Sequence, residues 1–198
     1  MKTSFSLLFP FSFSCFLLFF LAGSALAETS RWAGASTIAF NGTSTLHDWG
    51  GKVDARPFVT NVTTDAEGRP TKVEATVTVE VAKMDTAEAK RDENMRKAMK
   101  AAEHPLITGV IDTPFTAIRQ GEAAPAVLPL KLTLLGKPQT VTGKISQWKQ
   151  EKDKASFDLD FDLSLKKSGI TVPSVLLFIR VGDTIRVHAT VSLKRHHS

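Results

Sequence analysis

A chain of 198 residues with one cysteine and a formal charge of +5 has room for one domain. It must hold together by packing, because no internal disulfide is available to it. Its 25 basic and 20 acidic residues are interspersed through stretches such as 83–103 and 149–154, without the basic stripe interleaved with aromatics that marks a nucleic-acid binder; the mild basicity is compatible with transient contact at an anionic membrane surface.

The first 27 residues read as an address label. Lys2 precedes an apolar run over residues 5–21, and Ala25 and Ala27 supply the small-residue pattern of a signal-peptidase site. The mature chain is then 28–198, periplasmic or secreted, and it has lost Cys15 with the leader. The run is long for a signal peptide, so an uncleaved anchor competes; Pro10, Ser12 and Ser14 favour cleavage.

After Ala27 the chain keeps returning to period two. Residues 36–41 and 51–59 are irregular strand candidates. Then Val73, Ala75, Val77, Val79 and Val81 alternate with polar neighbours, the pattern of a half-buried strand. Residues 86–102 break the pattern with a run of helix formers. Asp85 or Thr86 can cap its start and His104-Pro105 stops it. Met95 and Met99 share one face of this helix. They either dock it on the sheet or reach a ligand from the end of a barrel.

Strands resume at 106–115 and continue through Leu128, Leu130, Leu132 and Leu134. The turn candidate Gly136-Lys137-Pro138 leads to Val141, Gly143 and Ile145. Phe157, Leu159, Phe161, Leu163 and Leu165 alternate with Asp158, Asp160 and Asp162, and 185–193 alternates again. The expected fold is all-β: an eight-stranded antiparallel barrel with one inserted helix at about 86–102. Closing the sheet points the apolar faces inward and removes exposed edges. Those faces are mostly Val, Leu, Ile and Ala, without charge on the four regular strands, so an occupant of the interior is apolar along most of its length. The inward residues expected to line it are Phe40, Val77, Val79, Leu130, Leu132, Phe157 and Phe161, with Trp49 and Phe178 near an opening.

Several motifs have a plainer and a livelier reading. Ser44, His47 and Asp48 are the residue types of a hydrolytic triad, but they are too close in sequence to converge as one, and no Gly-x-Ser-x-Gly elbow is present. A structural turn or a polar barrel mouth suits them better. Trp49 is a core residue or an apolar lid. Trp148 reads as a barrel-rim residue, with membrane contact as its functional alternative. His47, His104 and His188 are scattered, His196-His197 is a tail, and the aspartates form an outer-face row, so no metal site is expected. The apolar segment 172–179 is either a buried strand or a gate over the interior.

Taken in order, these landmarks have a likeness. Thr43-Ser-Thr-Leu-His-Asp-Trp-Gly-Gly51, Met84-Asp-Thr86, Arg91-Asp-Glu-Asn-Met-Arg96, His104-Pro-Leu-Ile-Thr108, the element from Leu130 to Val141, Gly169-Ile-Thr-Val172 and Val181-Gly-Asp-Thr-Ile-Arg-Val187 resemble the YceI-like, polyisoprenoid-binding family across nearly the whole mature chain. The chain departs from the commoner pattern at Leu46-His47-Asp48-Trp49 and at Lys166-Lys167-Ser168. The resemblance implies a lipocalin-like barrel, usually exported, that holds a polyisoprenoid or similar long-chain amphiphile, with no catalytic residues and no cofactor. The expected role is therefore a lipid carrier, its oligomeric state left open, a homodimer included. The alternative is a structural or interaction module with a filled barrel, acting at a membrane surface or in stress response.

Overall fold

The computed structural model describes residues 27–119, 124–171 and 181–196. Nine strands form one antiparallel sheet: β1 (Glu28–Gly42), β2 (Trp49–Asp54), β3 (Phe58–Thr64), β4 (Pro70–Glu80), β5 (Leu106–Pro114), β6 (Val127–Leu134), β7 (Lys137–Gln150), β8 (Lys154–Ser164) and β9 (Thr184–Arg195). Each strand from β3 to β9 pairs with the next, and β9 returns to β1 over Trp32↔Arg195 through Asn41↔Arg186. On its other edge β1 pairs with β3 over residues 28–34 and with β2 over residues 37–42. β2 and β3 therefore share one position, and the sheet is an eight-stranded closed barrel.

The single strand expected at 51–59 is thus two strands. Pro57 has no N–H to give to a ladder, and the chain steps across the sheet just before it. Ala55 N–H donates to Ser36 O at 2.9 Å, and Arg56 N–H donates to Thr78 O at 2.8 Å.

The β6–β7 hairpin turns through Leu135 and Gly136, with φ of 50° and 71°. Two successive positive φ values make the tight turn whose twist suits antiparallel strands, and Lys137 and Pro138 already belong to β7. β7 carries a second irregularity. Its register with β8 slips between Ser146 and Lys149, and Gln147 there has φ 52°. This bulge adds one residue and reverses which face the following side chains occupy.

The inserted helix α1 spans Ala89–Ala98, shorter at both ends than the 86–102 expected. Its cap is Glu88, whose carboxylate accepts Lys90 N–H at 3.0 Å and Arg91 N–H at 2.6 Å. Thr86 cannot serve as cap, because its hydroxyl and its N–H both donate to Asp92 Oδ1, at 2.6 and 3.0 Å. Ala87 then lies at φ 59°, which no helix residue adopts. At the far end Lys100 takes φ 46°. Lys100 N–H donates to Lys97 O and Ala101 N–H to Arg96 O, a Schellman closure with lysine where glycine is usual. A second helix, α2 (Phe115–Ile118), was not anticipated. Reciprocal bonds between the Lys52 and Asp85 backbones, at 2.8 and 3.0 Å, tie the approach to α1 onto β2.

Candidate functional site

The inward faces of the strands enclose a cavity of about 760 Å³. Its wall is almost wholly apolar, as the alternation requires. Phe40, Trp49, Val77, Val79, Leu130, Leu132, Phe157 and Phe161 all line it. Phe178 and the segment 172–179 lie outside the described residues.

The two ends of the cavity differ. At one end Phe40 and Trp49 meet edge to face, with centroids 6.5 Å apart at 72°, and α1 with its C-terminal cap contributes Met95, Ala98 and Met99 to the lining. The methionines therefore do more than dock the helix: they form part of the cavity surface. At the other end Trp148 lies against Phe157, with centroids 5.6 Å apart at 31°, and Phe58, Phe115 and Ile118 complete the lining.

Trp148 sits near a barrel end, as the sequence reading has it, and it also lines the cavity. The physical reason is the bulge at Gln147, which shifts the inward phase from odd to even residues between Ile145 and Trp148. The trace of this in the sequence is a tryptophan three residues after the last inward aliphatic residue, out of step with strict alternation.

Polar groups reach the cavity at two levels. Ser36 and Thr60 stand in the wall, and Ser36 Oγ is buried without a hydrogen-bond partner. The remaining polar lining is gathered at the α1 end: Ser44, His47, Glu88, Lys90, Arg91 and Asn94. Among the described residues no charge projects from the strands into the cavity, and the charged lining comes from α1 and its cap. The absence of charge read from the four regular strands is thus accurate, while this charged rim is a feature that strand alternation could not disclose.

The Ser44–His47–Asp48 group is built as a turn. Ser44 Oγ donates to the His47 carbonyl at 2.7 Å and accepts from His47 N–H at 3.2 Å. Its hydroxyl is occupied by backbone, so no nucleophile is presented to an imidazole. His188 is on the outer face, with Nδ1 2.7 Å from Asp160 Oδ1, and Thr190 donates to Asp158 at 3.0 Å. The aspartate row expected to be solvated is therefore partly paired across to β9. Among the described residues no three His, Cys, Asp or Glu side chains assemble as a metal set.

Electrostatics fix the position of α1. Asp92 is buried, and the Thr86 bonds hold its carboxyl below the usual carboxylate range against the opposing effect of burial. On the exposed side Lys97 and Lys90 bring Glu93 down to about 2. Beyond the barrel rim, Asp183 receives Lys166 N–H and the Ser164 hydroxyl, each at 2.8 Å. These bonds lower its pKa, the backbone donor contributing most.

The model of the YceI-like domain matches residues 32–193. The chain belongs to the YceI-like family. Membership carries a non-catalytic role. A polyisoprenoid-binding domain from Saccharophagus degradans, implicated in plant cell wall breakdown, superposes with a TM-score of 0.61 at 12% identity, over 85% of this chain and 100% of that one. BcnA of Burkholderia cenocepacia superposes with a TM-score of 0.61 at 16% identity, over 79% of this chain and 95% of that one. At such identities the likeness is one of fold. Comparison with curated proteins finds no match.

Proposed function

We propose that this YceI-like protein is an exported carrier that sequesters an isoprenoid or similar single-chain amphiphile in its lumen. The observation that carries this reading is the apolar-walled cavity of about 760 Å³ inside the barrel. A filled structural barrel would have no such volume. The polyisoprenoid-binding domain of Saccharophagus degradans lends support as a protein of the same fold.

The volume sets a scale for the cargo. With roughly 30 Å³ per water-sized group in a liquid, the lumen takes on the order of 25 carbons. Each methylene withdrawn from water contributes about 0.8 kcal/mol, so a chain of that length is held strongly against release into water. Exchange with a bilayer is different: one apolar surrounding replaces another, and the tail is nearly indifferent. The carrier keeps its cargo soluble between membranes, and the polar end of the cavity decides what it prefers to lift out.

Extraction of the purified protein with organic solvent followed by mass spectrometry tests the proposal. The expected result is a long-chain species of roughly 20–25 carbons in near-stoichiometric amount. Repeated preparations without one, together with refusal of added isoprenoids, would refute the carrier reading.

Export belongs to the same proposal. The leader through Ala27 is removed, and β1 opens directly at Glu28. Intact-mass measurement of protein recovered from a secreting host is expected to give a chain starting at Glu28; a chain retaining Met1 or Lys2 would mean an anchor.

A further inference from the structure

The charges at the α1 end of the cavity are not equivalent. Glu88 lines the cavity, but its carboxylate is spent on the backbone N–H groups of Lys90 and Arg91. Lys90 Nζ lies 2.9 Å from Glu93 Oε2 and is paired there. Asp92, the acid next to Arg91 in sequence, is stabilised in part by that arginine's charge, yet it directs Oδ1 to both donors of Thr86. Arg91 is half-buried and lines the cavity, and its guanidinium has no hydrogen bond or ion pair with any described residue. The His47 and Asn94 side chains line the same end.

A guanidinium without a bonded partner beside an apolar cavity, attracted only at a distance by Asp92, is a cation only partly compensated. The groups that could neutralise it from neighbouring elements are already engaged: Glu88 by the helix start, Glu93 by Lys90 and Lys97, and Asp85 by Ala87 N–H at 2.8 Å. The helix N-terminus contributes no free site either, since Glu88 has capped it. What is left is one planar fork of donors beside an oily chamber, and such a fork suits an oxyanion.

Resting on the carrier reading, we infer that the cargo is an acid-headed amphiphile, a carboxylate or phosphate on a single long chain, and that Arg91 is its head-group residue. The chain lies with its head at the α1 end and its tail toward Trp148 and Phe157. Half-burial strengthens the pairing relative to a surface ion pair, because less water competes for it. This is also the preference that decides exchange with a membrane, where the tail is indifferent.

The test uses four probes with the same C20 isoprenoid chain: the carboxylic acid, the monophosphate, the alcohol and the amine. Affinities are measured by displacement of an environment-sensitive fluorophore from wild type, Arg91→Gln and Arg91→Lys. Wild type is expected to bind at least one of the two acids about tenfold more tightly than the alcohol, and the amine least well. Arg91→Gln is expected to bring that acid to about the level of the alcohol, and Arg91→Lys to keep part of the preference. A thermal melt within a few degrees of wild type is the folding control. If the alcohol binds as tightly as both acids, or if Arg91→Gln retains the acid preference, the head-group assignment is wrong and the carrier reading survives. If none of the four binds, both are wrong.

Discussion

Replacing Gly109 with phenylalanine is expected to abolish uptake of a long chain while leaving the barrel folded. Gly109 lies on the inward face of β5 between its partners Val77 and Leu132, at mid-depth in the cavity. A Cβ there would stand 3.3 Å from Leu132 Cδ2 and 3.7 Å from Leu130 Cδ1. Both are flexible side-chain ends that border empty space, so the new ring can enter the lumen without moving backbone. The backbone lies outside the left-handed region, and phenylalanine favours strands more than glycine does. Displacing even two methylenes costs about 1.6 kcal/mol, more than tenfold in affinity, and a ring across the middle displaces more. Fluorophore displacement with a C20 chain reads the loss, and a thermal melt within a few degrees of wild type shows the fold intact. Undiminished uptake would place the ligand outside the lumen.

The second large effect concerns the helix that closes one end. Asp92→Ala is expected to cost about 2 kcal/mol of stability and to speed release of bound ligand severalfold, since two donors of Thr86 then lose a charged acceptor. Thr86 is buried, so those donors are not easily satisfied by water. The helix keeps its Glu88 cap, but its seat over the barrel end loosens, and Met95 and Met99 with it.

A pH dependence follows from the same group. The folded Asp92 titrates below the ordinary value of 3.8, so its contribution is fully present above that pH. It is lost as pH falls through the lowered folded value. Stopped-flow release measured from neutral pH down to about pH 3 is expected to accelerate only at the acid end in wild type. Asp92→Asn should flatten that part of the profile. Equal release rates for Asp92→Ala and wild type would mean that α1 is not the closure.

How much of this was legible in the sequence depended on regular alternation. β4, β6, β8 and β9 carry their apolar residues on every second position without interruption, and the inward set drawn from them lines the cavity. Where a backbone irregularity intervenes, the pattern misleads. Pro57 divides one expected strand into β2 and β3, and the Gln147 bulge turns Trp148 into the lining at one end of the barrel. The first half of β1 escaped notice because Ala33, Gly34 and Ala35 carry too little side chain to register an apolar face. The start of α1 was misplaced because Thr86 has the composition of a cap but is claimed by a side chain six residues on.

The charged rim was the least legible part of the site. Arg91 stands within a run of alternating charges, and nothing local separates it from Lys90 or Arg96. Its distinction comes from accounting for acids on several segments, Glu88, Glu93 and Asp85, each already occupied, and that requires coordinates.

The most direct measurement places a chain inside the barrel. Trp49 and Trp148 mark opposite ends of the lumen, so a C20 fatty acid brominated near its terminus can report depth through short-range quenching. With Trp49→Phe and Trp32→Phe removing the other emitters, bromine at the tail end is expected to quench Trp148 strongly, and bromine next to the head group to leave it bright. Trp148 fluorescence indifferent to either probe, under conditions where the probes bind, would contradict a lumen that holds the chain.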